Sequence, residues 1–158
     1  MTRTGIGYDS HRFAAGRPLV LGGVTIPHPM GLTGHSDADV VAHALTDAIL
    51  GAAGAGSIGG LFPDTDPAFQ GADSIHLLRQ AYDVVRARGY IFAHADVTVI
   101  TEAPKIAPHA AQMAARLASA LDATPGDINI KGKTNEGMGF IGRGEGMAAI
   151  AVATLERR

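Results

Sequence analysis

The stretch GHSDADVVAHALTDAILGA, residues 34–52, predicts a helix. Ser36 or Asp37 can cap its N-terminus, because a short polar side chain there accepts a hydrogen bond from a free backbone N–H group. Asp39 adds a favourable negative charge to the first turn. Gly51 is expected to end the helix, since glycine is preferred just beyond a helix C-terminus. Between these ends, apolar residues recur at helical spacing, at Val41, Leu45 and Ala48.

Two strand-forming regions precede this helix, and a long loop follows it. Residues 4–13 are predicted to form a strand. Residues 19–21 and 24–26 are predicted to form a hairpin around Gly22 and Gly23. Residues 52–72 carry Gly, Pro and Asp without periodicity, and loops of that length are often functional.

Five further elements complete the pattern. They are a helix from near Asp73 that ends at Gly89, a strand over 90–101, a helix after Pro104 or Pro108, and strands over 128–131 and 146–155. The last strand is apolar on both faces, which favours burial. The order of elements predicts one α/β (α+β) domain over residues 1–158, with a mixed sheet covered by helices on one face.

Composition limits the classes of function. The 158 residues include 46% hydrophobic and 18% charged residues, so a packed core is expected rather than disorder. The net charge of −2 gives no basic excess for nucleic acid. The chain has no cysteine, so any metal must be held by His, Asp or Glu. No signal peptide or membrane span is predicted, and a cytoplasmic location is expected.

Asp9, His11 and His43 are the candidate metal ligands. Asp9 and His11 are two apart on a predicted strand, so their side chains share one face. His43 lies about two turns into the predicted helix. Three protein ligands with a vacant fourth position are typical of catalytic zinc. The alternatives are a chance Asp-x-His pair and an ordinary core or interface histidine, and spacing alone does not decide between them.

Five collinear blocks resemble the 2-C-methyl-D-erythritol 2,4-cyclodiphosphate synthase family. They are GYDSHRF (7–13), GHSDADVVAHALTDAILGA (34–52), FPDTDPAFQGADS (62–74), TEAPKIAPH (101–109) and GFIGRGEG (139–146). The resemblance runs from about residue 3 to 155. It implies a homotrimer, with sheets around a central axis and active sites between subunits. It also implies zinc on Asp9, His11 and His43, and magnesium or manganese near Glu136 with the substrate diphosphate.

The resemblance implies a reaction in which the 2-phosphate of 4-diphosphocytidyl-2-C-methyl-D-erythritol 2-phosphate attacks its own β-phosphorus. The products are the cyclic diphosphate and CMP. The residues credited with stabilising the transition state are His35 and Thr134. The implied substrate contacts are Asp9, Ser10, His11, His35, Ser36, Ser57, Ile58, Gly59, Phe62, Pro63, Asp64, Thr65, Asp66, Thr101, Glu102, Ala103, Pro104, Lys105, Ile106, Ala107, Lys133, Thr134, Asn135, Glu136, Phe140 and Arg143.

Several of these positions have a simpler interpretation. Asp64 and Asp66 can be turn residues, Ser36 an N-cap, and Pro104 a helix-initiating proline. Phe140, Arg143 and Glu145 are implied to face an axial cavity that holds an isoprenoid diphosphate, but Arg143 and Glu145 can equally form an ordinary subunit-interface ion pair.

The sequence departs from the family at Ser57, where an aspartate is usual, which puts ribose contact in doubt. Two other functions remain open on the same residues: a zinc-dependent phosphoester hydrolase, and a non-catalytic trimeric module that binds metal or an isoprenoid diphosphate.

Overall fold

The computed structural model describes all of residues 1–158 and contains a five-stranded mixed sheet. Its strands are β1 (Thr2–Ala14), β4 (Gly31–Leu32), β5 (Tyr90–Ile100), β6 (Ile128–Lys133) and β7 (Gly146–Arg157), in the order β4-β1-β7-β5-β6. β5 and β6 are parallel and the other pairs are antiparallel. The predicted hairpin forms as β2 (Leu19–Leu21) and β3 (Val24–Ile26). The predicted mixed α/β fold is therefore confirmed.

Helices cover one face of the sheet. The longer ones are α1 (Val40–Ala53), α3 (Ser74–Ala87) and α4 (Ala110–Ala120), and single turns form α2 (Ile58–Leu61) and α5 (Gly139–Gly142). α1 lies across β1, β7 and β5, and most of its residues are fully buried. No helix has the length and apolar character needed to cross a bilayer.

Two glycines of β1 allow α1 to lie directly on the sheet. A Cβ on Gly7 would lie 1.8 Å from the carbonyl oxygen of Ala44, and one on Gly5 would lie 2.1 Å from that of Ala48. These positions therefore require glycine because the helix backbone occupies the space of a side chain. Since β1 residues alternate between faces, Asp9 and His11 lie on the same face as these glycines, beyond the N-terminal end of α1.

Asp39 is the N-cap of α1, so the prediction that Ser36 or Asp37 caps the helix is wrong. Its Oδ1 accepts hydrogen bonds from Val41 and Ala42 N–H at 3.1 and 3.0 Å. The same carboxylate accepts from Gly22 and Gly23 in the β2–β3 turn at 2.9 and 2.7 Å. Burial raises the pKa of Asp39 to about 6, although these four N–H groups favour the ionised form. Asp39 thus joins the hairpin to the helix.

The other boundaries differ from the prediction for local reasons. α1 continues past Gly51 to Ala53, because the left-handed residue that ends it is Gly54, with a φ of 66°. The predicted 52–72 loop contains α2 and a 3-10 turn at Pro67–Phe69, which Asp66 caps by accepting from Ala68 N–H. The third helix begins at Ala110, after a 3-10 turn at Ala107–His109.

The sheet face opposite the helices is partly apolar and exposed in the single chain. Ile6 and Tyr8 of β1 are 69% and 55% exposed, and Val152 of β7 is 40% exposed. The predicted burial of both faces of β7 would therefore require a second chain. The buried side of β7 faces α1, and the other side is available to a partner.

Candidate active site

Asp9, His11 and His43 form one compact cluster. Asp9 Oδ2 lies 3.0 Å from both His11 Nε2 and His43 Nδ1, and these two nitrogens are 3.4 Å apart. Each residue offers one ligand atom, and all three atoms lie within 4.8 Å of one another. The three side chains are half-buried. The predicted side-by-side placement of Asp9 and His11 on one strand face is confirmed, and the cluster is a possible metal site.

His43 reaches the cluster from the first turn of α1, so its predicted place about two turns into the helix is wrong. The ring uses Nδ1 toward Asp9 and turns Nε2 toward two hydroxyl groups. Ser74 Oγ lies 2.7 Å from Nε2, and Ser36 Oγ lies 3.1 Å from it. Sequence reasoning missed Ser74, because it is 31 residues from His43 and belongs to no motif with it.

The charges of the cluster support one another. Burial alone would raise the pKa of Asp9, but hydrogen bonds and positive charge from His11 and His43 hold it below the ordinary value. Burial alone would lower the pKa of His43, but the hydrogen bond and negative charge of Asp9 raise it. A carboxylate oxygen and two imidazole nitrogens in this arrangement fit a divalent ion such as zinc.

The cluster opens into a cavity of about 430 Å³. The implied site residues that line it are Asp9, His11, His35, Ser36, His43, Ile58, Gly59, Phe62, Pro63 and Asp64. Gly34, Phe69 and Leu77 also line it and were not predicted. Ser10, Ser57, Thr65 and Asp66 lie outside this lining. Asp66 caps the Pro67–Phe69 turn, so its simpler interpretation as a turn residue describes its contacts.

Residues 34–36 form a loop in the cavity wall, and Arg17 donates hydrogen bonds to this loop. Arg17 Nη1 donates to Gly34 O at 3.0 Å, and Nη2 donates to Ser36 O at 2.8 Å. The carbonyl of Gly34 and the N–H of His35 belong to one trans peptide and point in opposite directions, so that N–H faces away from Arg17. The N–H groups of His35 and Ser36 make no hydrogen bond within the chain and are available to a ligand.

His35 also contacts the neighbouring loop. Its Nε2 lies 2.7 Å from the carbonyl oxygen of Asp66, and its own carbonyl accepts from Gly71 N–H at 2.7 Å. In the first turn of α1 itself, the N–H groups of Val41 and Ala42 already donate to the Asp39 carboxylate. Anion-binding N–H groups are therefore expected in the 34–36 loop rather than in the first helical turn.

A second cavity, of about 240 Å³, lies elsewhere on the chain. Its lining is Thr101, Glu102, Pro104, Lys105, Ile106, Ala107, Gly132, Lys133 and Thr134. Glu102 Oε1 accepts from Asn135 N–H at 2.7 Å and so joins the two segments. The first two cavities share no lining residue. One chain therefore does not bring Thr134 together with the metal cluster in a single cavity.

Glu136 lies outside all three cavities described for the chain. Its side chain is exposed, and Lys133 Nζ is 3.6 Å from its Oε1. A single carboxylate beside a lysine does not form a cation site by itself, because hard divalent ions take several oxygen ligands. Binding of a second ion there would need oxygen atoms from the substrate.

The third cavity, of about 210 Å³, adjoins the glycine-rich GFIGRGEG segment. Phe140 and Glu145 line it together with Ser10, His11, Arg12 and Gly146. Arg143 Nε donates to Glu145 Oε2 at 2.8 Å, so this ion pair forms within one chain. Phe140 is 41% exposed. Since a short helix is followed here by β7, the segment lacks the strand-then-helix context of a dinucleotide fold.

Comparison with known proteins places this geometry in a family context. The model of the YgbB family matches residues 2–156. A 2-C-methyl-D-erythritol 2,4-cyclodiphosphate synthase of Bordetella petrii is 59% identical over 155 residues, which are 98% of this chain and 96% of that protein. The IspF of Plasmodium falciparum, solved as a CDP complex, has a TM-score of 0.87 at 32% identity, covering 99% of this chain and 97% of that one.

A fused relative is also similar. The bifunctional IspDF from Campylobacter jejuni matches with a TM-score of 0.96 at 48% identity. The match covers all of this chain but only 43% of that protein's chain. The fold seen here therefore corresponds to one part of that larger protein.

Proposed function

The chain belongs to the YgbB family, and from this membership we propose that it converts 4-diphosphocytidyl-2-C-methyl-D-erythritol 2-phosphate to 2-C-methyl-D-erythritol 2,4-cyclodiphosphate and CMP. This is a phosphorus–oxygen lyase reaction of non-mevalonate isoprenoid biosynthesis. The observation that carries the proposal is the Asp9–His11–His43 cluster at the wall of a cavity large enough for a small phosphorylated ligand.

The reaction places modest chemical demands on the protein. An oxygen of the 2-phosphate forms a bond to the β-phosphorus, the bond from that phosphorus to the bridging oxygen breaks, and CMP keeps the bridging oxygen. The attacking phosphate is already an anion at neutral pH, so no general base is needed. The protein must orient two phosphates and offset their charge. The reaction therefore needs no serine or cysteine nucleophile.

Asp9, His11 and His43 hold the metal in this proposal, with Nδ1 of His43 and Nε2 of His11 as the nitrogen ligands. Zinc, when bound, polarises phosphate oxygens and offsets their negative charge. The free N–H groups of His35 and Ser36 bind phosphate oxygens from the adjacent wall. The His35 ring holds the 62–71 loop through Asp66 O, which keeps Phe62 and Pro63 over the cavity.

The second cavity is proposed to bind the cytidine end. Thr101 to Ala107 offer backbone groups to the base, and Lys105 and Lys133 offer positive charge to phosphate. Thr134 stands in the same lining and is proposed to act on the transition state. The CDP complex named for the Plasmodium falciparum relative supports a cytidine nucleotide as the ligand. Glu136 is the residue that would hold a magnesium or manganese ion, which would offset the charge of the diphosphate.

A homotrimer is proposed because it unites the two cavities. The metal cavity and the nucleotide cavity share no lining residue within one chain, so a substrate that needs both must bind between subunits. The exposed Ile6, Tyr8 and Val152 give the sheet an apolar face that a neighbouring subunit can cover. Phe140, Arg143 and Glu145 would then approach the axis, where the intrachain ion pair can line a cavity for an isoprenoid diphosphate.

Phosphorus NMR of the products tests the proposed function. The purified protein is incubated with the cytidyl substrate, zinc and magnesium, and the expected products are CMP and the cyclic diphosphate with no inorganic phosphate. Release of inorganic phosphate would instead favour a zinc-dependent hydrolase on the same three ligands. Ligand binding without turnover would favour a non-catalytic module. A His43→Ala variant is the control, and its turnover is expected to be nearly abolished.

A further inference from the structure

Two residues outside the metal cluster contact the far side of His43 through one hydrogen-bonded chain. His43 Nε2 lies 2.7 Å from Ser74 Oγ, and Ser74 Oγ donates a hydrogen bond to Asp37 Oδ1. Asp37 Oδ2 also accepts from Ser74 N–H at 3.0 Å. The chain therefore links the first turn of α1 to the first residue of α3.

The direction of these hydrogen bonds follows from the groups themselves. A carboxylate only accepts, so the Ser74 hydroxyl donates its hydrogen to Asp37. The Ser74 oxygen can then only accept from His43, which requires the hydrogen of the imidazole to be on Nε2. Because Nε2 keeps its hydrogen, Nδ1 is the nitrogen that a metal can take over from its hydrogen bond to Asp9, which lies 3.0 Å away.

We propose that Ser74 and Asp37 are positioning residues that fix the tautomer and ring orientation of His43 for metal binding. Neither residue belongs to the ligand set, and neither was a predicted site residue. Ser74 is fully buried, so no solvent molecule replaces its oxygen easily when it is removed. Partners of metal-bound histidines typically change metal affinity by about 10–100-fold when they are mutated.

Ser36 Oγ is a second hydroxyl near the ring, at 3.1 Å from Nε2. It lies farther from Nε2 than Ser74 does, and it also accepts from Ala38 N–H at 3.3 Å. Nothing in its contacts fixes the direction of its own hydrogen, whereas Asp37 fixes that of Ser74. The geometry therefore assigns the orienting role to Ser74.

A purely structural role of Ser74 makes a different prediction. Ser74 begins α3, so its loss could weaken the helix without any specific effect on the metal. Asp73 provides a matched control, because it caps the same helix by accepting from Ile75 N–H at 2.9 Å and makes no contact with His43. Asp73→Ala should lower the thermal midpoint and leave metal affinity unchanged.

The experiment measures zinc affinity by competition with a chromophoric chelator, alongside thermal unfolding of each metal-free variant. Ser74→Ala is expected to bind zinc about 10–100-fold more weakly than the wild type. Ser74→Thr, which keeps the hydroxyl, should recover most of the affinity. Wild-type affinity in a folded Ser74→Ala protein would overturn the inference, as would an equal loss in Asp73→Ala.

The inference rests on the proposed metal site, so His43→Ala is measured in the same series. If His43→Ala keeps full zinc affinity, the metal site itself is misassigned. If His43→Ala loses zinc but Ser74→Ala does not, the metal site stands and only the role of Ser74 and Asp37 is rejected. The readout does not require turnover, so it is independent of the proposed reaction.

Discussion

Substitution of Gly7 by alanine should push α1 away from β1 and so weaken zinc binding, because α1 carries the ligand His43. The added Cβ would lie 1.8 Å from the carbonyl oxygen of Ala44. Carbon and carbonyl oxygen rarely approach closer than about 3.3 Å even in favourable contacts, so α1 must retreat by about 1.5 Å. The obstacle is backbone, which cannot rotate out of the way as a side chain can. Ala44 follows His43 directly, so the imidazole moves with the helix.

The expected magnitudes follow from that displacement. Overpacking by one methyl group costs about 1–3 kcal/mol, and a clash with backbone belongs at the upper end. For a chain of this length, about 3 kcal/mol corresponds to a fall of roughly 6–12 °C in thermal midpoint. Zinc ligands must lie within about 0.2 Å of their ideal distances, so a retreat of this size should weaken zinc binding by more than about 100-fold.

Two measurements on metal-free and zinc-titrated protein test this prediction. Thermal unfolding reports the stability of the packing, and chelator competition reports zinc affinity. Gly51→Ala is the matched control, because Gly51 lies in the same helix and its added Cβ would meet nothing closer than 3.9 Å. That variant should be more stable by about 0.5–1 kcal/mol and bind zinc normally. A Gly7→Ala protein with wild-type midpoint and zinc affinity would refute the packing argument.

Three further predictions follow from other contacts. Asp39→Ala removes the α1 cap and the acceptor for the N–H groups of Gly22 and Gly23, so it should lower the free energy of unfolding by about 3–5 kcal/mol. Urea titration measures this change, and a loss below about 1 kcal/mol would contradict the role of Asp39. Burial lowers the pKa of His43, but the hydrogen bond and charge of Asp9 outweigh burial and raise it, so a proton competes with zinc for the ring at a higher pH than usual. Chelator competition should therefore show that zinc affinity falls as the pH drops below neutrality, by about tenfold per pH unit for each proton that zinc must displace. An affinity independent of pH from 8 to 6 would count against His43 as a ligand. Arg17→Ala removes the hydrogen bonds to the carbonyl oxygens of Gly34 and Ser36 and should lower kcat/KM by about tenfold. Unchanged steady-state kinetics would show that the 34–36 loop keeps its conformation without Arg17.

The sequence predicts the order of elements well because periodicity and turn residues are local signals. The β2–β3 hairpin and the start of α3 directly after its N-cap Asp73 follow from such signals. The α1 cap was misassigned because Ser36, Asp37 and Asp39 are all good caps in isolation. Asp39 is selected by its contacts with Gly22 and Gly23, which are tertiary and invisible to a local pattern.

The metal ligands could be predicted from the sequence, but the residues that orient His43 could not. Asp9 and His11 form a period-two pair on a strand, and His43 was a candidate on the predicted helix; the resemblance to a known family implied that the three hold zinc together. Ser74 and Asp37 have no fixed spacing to His43 and come together only when α3 packs beside α1. The division of the implied substrate contacts between two cavities could not be predicted either, because it depends on which segments the fold brings together.

The most direct test of the central claim is a turnover experiment in heavy-oxygen water. Intramolecular attack by the 2-phosphate uses no solvent oxygen, so mass spectrometry should find the label in neither the CMP nor the cyclic diphosphate. A hydrolase on the same Asp9, His11 and His43 ligands would add one solvent oxygen to a phosphate-containing product. Unlabelled cyclic diphosphate is the predicted result, and a labelled product formed at the rate of CMP release would contradict the account.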